Sequence, residues 1–282
     1  MSTVRELLDG ATSALRQAGV DTPRLDAELL LSHALCVTRS TLLASLSDPV
    51  PLPAAKRFAE LVERRAAREP VAYITGWKEF FGRSFRVSRA TLIPRPETEL
   101  LLELALQVAP PEAGVAVDVG TGSGCIAVTL AAEMPAYRVY AVDVSAGALK
   151  VARANAELHG VADRVTLLRG ALLEPLTERV DLILANLPYV PTGNLAGLEP
   201  EVARWEPREA LDGGPDGFRV VRELLWQLPR VSLPHSICLL ELDPRQVGLL
   251  RAEVALQLPG WSVRLHPDLG GRERVAELRP PR

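Results

Sequence analysis

Val115-Ala116-Val117-Asp118-Val119-Gly120-Thr121-Gly122-Ser123-Gly124 decides the fold of the larger part of this chain. Its first five residues read as a buried strand, and glycines at every second position after them read as a tight turn. The apolar segment from Cys125 to Ala132 continues as a helix. Glycines between a strand and a helix let the backbone approach a ligand at the helix N-terminus. Outward from this unit the alternation repeats. Arg138–Val142 reads as a second strand ending at Asp143, and residues 146–159 as a helix. Val165–Leu168 and Val180–Ala185 read as third and fourth strands, and Ser236–Leu242 as a fifth. Strands separated by helices imply a parallel sheet with right-handed crossovers.

The turn departs from a dinucleotide fingerprint, which needs its third glycine where Cys125 stands. No Lys-Ser/Thr pair follows, so it is no Walker loop. Asp118 lies two residues before Gly120, and a carboxylate there suits an ammonium group better than a pyrophosphate, whose charge it would repel. Asp143, at the end of the second strand, is placed to accept both hydroxyls of a ribose. Together with Gly120, Thr121, Gly122, Ser123 and Gly124, these two acids favour S-adenosylmethionine over NAD.

The fourth strand runs into Asn186-Leu187-Pro188-Tyr189. A carboxamide, a carbonyl ahead of a proline and an aromatic ring gather where open α/β sheets place their ligands. Such a group can grip a planar amide or amidine NH2 and aim its nitrogen. A strand followed by an ordinary proline turn has the same local look; the glycine turn and its two acids set this one apart.

The first 70 residues read as helices. Thr3 and Glu6 have capping-box spacing ahead of an apolar stripe, and Gly19 ends that helix. Thr22-Pro23 reads as a cap and first helical position, Ser40 as the cap of a short helix, and Pro53 as the start of another reaching about Arg68. A helical cap of this kind would suit recognition of a protein partner. Ala72 to Val87, rich in aromatic and β-branched residues and punctuated by Gly76 and Gly82, reads as a β-hairpin linking the two parts over 71–91. Leu92-Ile93-Pro94-Arg95-Pro96-Glu97-Thr98-Glu99 is a stiff connector that could hold Arg95, Glu97 and Thr98 over a site; a helix follows to about Val108, and the second domain extends over 92–282.

Bulk properties exclude several classes. The chain of 282 residues has 32 basic and 35 acidic side chains, a net charge of −3. The basic residues are dispersed, so no phosphate-tracking stripe is visible and no direct nucleic-acid binding is expected. No apolar run approaches a membrane span of about 20 residues, and the start lacks a signal-peptide pattern. Cys36, Cys125 and Cys238 form neither a disulfide framework nor a zinc pattern, which points to a reducing cytoplasm. The four scattered histidines suggest no metal site.

At this point the chain resembles the release-factor glutamine N5-methyltransferases, the PrmC/HemK family. The resemblance covers nearly the whole length. It rests most on Leu92–Glu99, on Asp118–Gly124 and on Asn186-Leu187-Pro188-Tyr189-Val190, with further matches at Glu206-Pro207, Ala210-Leu211, Gly213-Gly214 and Asp216-Gly217. It implies an α/β, class I AdoMet-dependent methyltransferase, Rossmann-like with a mostly parallel sheet, behind a small helical domain and a linking β-hairpin. The implied substrate is the glutamine of the Gly-Gly-Gln motif in bacterial peptide-chain release factors. By the same resemblance, the Asn186 oxygen and the Leu187 carbonyl accept the amide's two N–H bonds and Tyr189 packs on its plane. The resemblance also implies that Leu172 would pack on the adenine.

Three positions depart from the family pattern. Leu187 replaces a proline, although Pro188 still holds it extended. Ala171 stands where an Asp would accept from the adenine amino group, and Asp243 where a glycine is usual. Three alternatives therefore stand beside the first reading: glutamine methylation of a ribosomal protein, N6-adenine methylation of nucleic acid, and a non-catalytic AdoMet-binding module.

Overall fold

A seven-stranded sheet, in the order β5 (Val165–Arg169), β4 (Arg138–Asp143), β3 (Val115–Val119), β6 (Val180–Asn186), β7 (Ser232–Glu241), β9 (Glu273–Arg279) and β8 (Ser262–Pro267), organises the larger part of the molecule. The computed structural model describes residues 2–110 and 113–281; Met1, Pro111, Glu112 and Arg282 lie outside it. The chain divides into two compact units, Met1–Trp77 with Glu199–Trp205, and Lys78–Leu198 with Glu206–Arg282.

The first unit is helical: α1 (Val4–Gln17), α2 (Pro23–Leu35), α3 (Arg39–Ala44), α4 (Leu52–Ala66) and α5 (Val71–Thr75). The capping box opens α1, with Thr3 Oγ1 accepting from the Glu6 amide and Glu6 accepting from the Thr3 amide. Thr22 caps differently from the expectation, since its hydroxyl donates to Asp26 rather than accepting from the backbone. Thr38, not Ser40, caps α3. Leu8, Leu15, Leu30, Leu31 and Phe58 fill the core of this unit. The buried Arg65 donates to Asp26 at 2.6 Å and to Glu201 at 2.8 Å.

Ala72–Thr75 belongs to the short helix α5 and not to a strand, with Gly76 in the left-handed region as its C-cap. Tyr73 and Ile74 are buried, so the strand-like composition reports burial rather than extension. The two-stranded sheet is shorter, β1 (Trp77–Phe80) with β2 (Arg83–Arg86).

The second unit continues through α6 (Glu99–Val108), β3 (Val115–Val119), α7 (Cys125–Glu133), β4 (Arg138–Asp143), α8 (Ala146–Leu158), β5 (Val165–Arg169) and β6 (Val180–Asn186). The chain then contributes α9 (Pro200–Trp205) to the helical unit. It returns with α10 (Arg219–Val231), β7 (Ser232–Glu241), α11 (Val247–Gln257), β8 (Ser262–Pro267) and β9 (Glu273–Arg279). Strands β3 to β7 are parallel, as the alternating pattern predicts. β9 joins β7 antiparallel and carries β8 at the edge; the sequence reading did not foresee this pair.

Side-chain alternation explains the near-continuous apolar strands. Leu182 and Leu184 of β6 pack into one core with Leu101, Ile126 and Leu130, while Ile183 and Ala185 pack into the other with Leu224 and Leu228. A parallel sheet buried on both faces needs apolar residues at successive positions. Strand order reverses between β3 and β6, so the crevice at their carboxyl ends is the natural ligand position. Among the described residues, no helix is long and apolar enough to cross a membrane.

Candidate active site

The glycine turn and the Asn186 tetrapeptide leave adjacent strands side by side, because Val119 of β3 is the register partner of Ala185 of β6. Gly120 has φ of 73°, and a Cβ on it would stand 3.3 Å from Leu187 Cδ2. Glycine there lets the turn settle against the tetrapeptide without strain. The Gly120 and Thr121 amides both donate to the Val142 carbonyl. Gly124 serves packing, since a Cβ there would lie 2.9 Å from Ala152 Cβ on α8. The fully buried Asn155 fastens the turn from behind, donating to the Ser123 carbonyl at 2.8 Å and pairing with the Arg86 backbone.

A cleft of about 280 Å³ opens at this point. Gly120, Gly122, Asp143, Leu172, Asn186, Leu187 and Pro188 lie on its lining. Asp118, Thr121, Ser123, Gly124 and Tyr189 do not. Asp118 is fully buried behind the turn, where its Oδ2 accepts from Thr121 Oγ1 at 2.6 Å and from the Ala127 amide at 3.1 Å. Burial pushes its carboxyl up to about 7. Asp143 accepts from the Gly122 amide at 2.9 Å and the Ser145 amide at 2.8 Å, and burial raises its pKa. Each of its oxygens keeps a lone pair for a further donor. Leu172 is held in the left-handed region at φ 53°, a cost that sites tolerate when the surroundings enforce it. Ala171 also lines the cleft, and so do the charged side chains of Glu209, Arg219 and Glu223, which carried no local sequence signal.

These residues fit S-adenosylmethionine. Two positive-φ glycines leave the turn open to a ligand. Asp143 offers a carboxylate for ribose hydroxyls, and Val144, Ala148 and Leu172 offer apolar walls for a purine.

The tetrapeptide is clamped on its far side. Gln246 Nε2 donates to the Tyr189 carbonyl at 3.1 Å and to the Gly217 carbonyl at 2.8 Å. Val190 exchanges backbone hydrogen bonds with the 211–213 segment. A Cβ on Gly213 would stand 2.7 Å from the Pro188 carbonyl oxygen, and one on Gly217 would stand 2.3 Å from that of Tyr189. Only glycines allow so close an approach. Asp243 has an ordinary negative φ, so glycine is not required there; its side chain caps the turn that delivers Gln246.

Asn186 Nδ2 donates to Thr98 Oγ1 at 2.9 Å, and Thr98 Oγ1 donates to Glu241 Oε2 at 2.7 Å. Glu206 holds the connector that brings Thr98 there, accepting from the Ile93 amide and from Arg95. Burial raises the Glu206 carboxyl even beside that guanidinium. Tyr189 is half-buried on this same side; burial and the nearby Glu241 push its hydroxyl up to about 12.

Fold and site together define a class I AdoMet-dependent methyltransferase. The solved structure of a methyltransferase from Pyrococcus furiosus shares the fold, with a TM-score of 0.53 at 18% identity over 80% of this chain and 98% of that one. Two family models match, the PrmC N-terminal domain over residues 6–76 and the methyltransferase small domain over 96–196. The chain is 43% identical to the release factor glutamine methyltransferase of Moorella thermoacetica over 96% of both chains. It is 44% identical to that of Cereibacter sphaeroides over 98% of both. The chain belongs to the release factor glutamine methyltransferase family.

Proposed function

We propose that this enzyme methylates the side-chain nitrogen of the glutamine in the Gly-Gly-Gln motif of bacterial peptide-chain release factors. The observation that carries this reading is the full-length likeness to release factor glutamine methyltransferases, PrmC N-terminal domain included. That domain also favours it over methylation of a ribosomal protein or of adenine.

Bound S-adenosylmethionine supplies an electrophilic methyl group. Asp143 holds its ribose, and Leu172 flanks its purine. An amide nitrogen is a weak nucleophile because its lone pair is delocalised into the carbonyl. Asn186 Oδ1 and the Leu187 carbonyl accept its two N–H bonds, which orients the nitrogen toward the cleft and supports the positive charge that develops on it. Tyr189 packs against the amide plane. Transfer would break the methyl–sulfur bond, leave a neutral thioether and put the methyl on the nitrogen, which would then lose one proton to solvent, so no general base is needed before attack. Asp118 pins the glycine turn through Thr121 and Ala127. The helical unit recognises the body of the release factor, and the cytoplasm is the setting.

The test is methyl transfer to recombinant release factor, read by mass spectrometry. One methyl on the Gly-Gly-Gln glutamine is expected. Equal labelling of a release factor with that glutamine replaced would remove the substrate assignment.

A further inference from the structure

To grip an amide NH2, the Asn186 carboxamide must present oxygen, not nitrogen, to its guest. An asparagine amide is nearly symmetric in shape, and a half-turn exchanges acceptor for donor. Something must set its direction.

We propose that Thr98 and Glu241 are positioning residues that fix the polarity of the Asn186 carboxamide. Asn186 and Glu241 are register partners at the carboxyl ends of β6 and β7. Register partners in a parallel sheet point to the same face. Here that is the face carrying Leu182, Leu184 and Leu239, against which α6 packs. Thr98 immediately precedes α6, and its hydroxyl, which makes no helix-capping bond, reaches both side chains.

The direction follows from the donor inventory. Burial lifts the Glu241 carboxyl to about 7; above that pH it is ionised and only accepts, so it takes the single proton of the Thr98 hydroxyl. Thr98 is left with lone pairs alone toward Asn186. Only Nδ2 can satisfy them, and Oδ1 is turned away from Thr98, free to accept. The flipped amide would set oxygen against oxygen in a buried site, where an unmade hydrogen bond is costly. Thr98 and Glu241 are each 2% exposed, so water does not substitute. Neither Thr98 nor Glu241 lines the cleft, and neither touches the reacting nitrogen.

The inference rests on the amide-gripping role of Asn186, and its test has an arm that does not depend on the methyl acceptor. Thr98→Val keeps shape and removes the relay; kcat on release factor should fall about 10-fold or more while S-adenosylmethionine affinity by calorimetry stays within about twofold. Thr98→Ser should recover most of the loss. Glu241→Gln, which can turn a donor toward Thr98, should also lower kcat, but add nothing in the Thr98→Val background. In the second arm, protein labelled with 15N-asparagine is observed by NMR without substrate. The Asn186 side-chain NH2 pair, identified by its loss in Asn186→Ala, should exchange slowly in wild type and in Thr98→Ser, and faster in Thr98→Val. Unchanged exchange in Thr98→Val, or a serine variant as slow in turnover as the valine one, would overturn the proposal. Failure of wild type to methylate release factor would overturn the substrate reading and leave the exchange arm standing.

Discussion

Asp118 Oδ2 receives the Thr121 hydroxyl at 2.6 Å, while Asp118 Oδ1, equally buried, has no hydrogen-bond partner among the described residues. One oxygen pins the glycine turn and the other stays unsatisfied. Burial therefore outweighs the two bonds and lifts the carboxyl to about 7.

The sign of the resulting pH dependence is fixed. Folded protein holds this proton up to about 7, while the unfolded chain releases it near pH 4, so the native state binds more protons in between. The contribution is fully present below the unfolded value and is lost as pH rises to about 7. Asp118→Asn keeps an acceptor for Thr121 and removes the titration. Its urea midpoint, relative to wild type, should rise across that window and level off above it. Parallel midpoints at every pH would show that Asp118 does not titrate as its burial implies.

Asn186→Ala separates turnover from cofactor binding. Removing one preorganised oxyanion-hole donor typically costs about 100-fold or more in kcat, and an acceptor aimed at developing positive charge should matter comparably. Calorimetry should find S-adenosylmethionine binding nearly intact. A loss of affinity as large as the loss of rate would place Asn186 in the cofactor site instead.

Asp143→Ala should act in the opposite way. A hydrogen bond to a charged group is worth about 1.5–3 kcal/mol, so S-adenosylmethionine affinity should drop roughly 10- to 100-fold. Loss of the Gly122 and Ser145 bonds loosens the turn in the same direction. Unchanged affinity would count against the ribose role.

Gly217→Ala tests the clamp behind the tetrapeptide. The new Cβ would meet the Tyr189 carbonyl oxygen at 2.3 Å, and φ is 75°. Backbone must move, at a cost of about 2 kcal/mol or more by analogy with strained and overpacked sites. Thermal unfolding should register the loss, and the variant that still folds should show reduced kcat. A fully stable, fully active variant would mean that the 211–217 segment does not brace Tyr189.

Much of the site was legible because its signals are local. Glycines after an apolar run, acids at strand ends and a carboxamide ahead of a proline each report on the few residues around them. The same locality produced the misreading of Ala72–Thr75, whose aromatic and β-branched side chains are buried on a short helix. It also gave Thr98 only a place on a connector that could be held over a site, with no partner for its hydroxyl.

By itself, then, the sequence determined the strand–turn–helix that opens the α/β unit, the alternation of parallel strands with helices, and the tetrapeptide at the end of β6. Tertiary structure alone decided what surrounds them. Thr98 meets Asn186 across 88 residues and Glu241 across 143, and Gln246 reaches Tyr189 across 57. Hydrophobic periodicity records which face of an element is buried, not which distant polar group will share that burial. Sheet register settles that. It sets Glu241 beside Asn186 and turns a carboxamide that could face either way into one whose oxygen is free to accept.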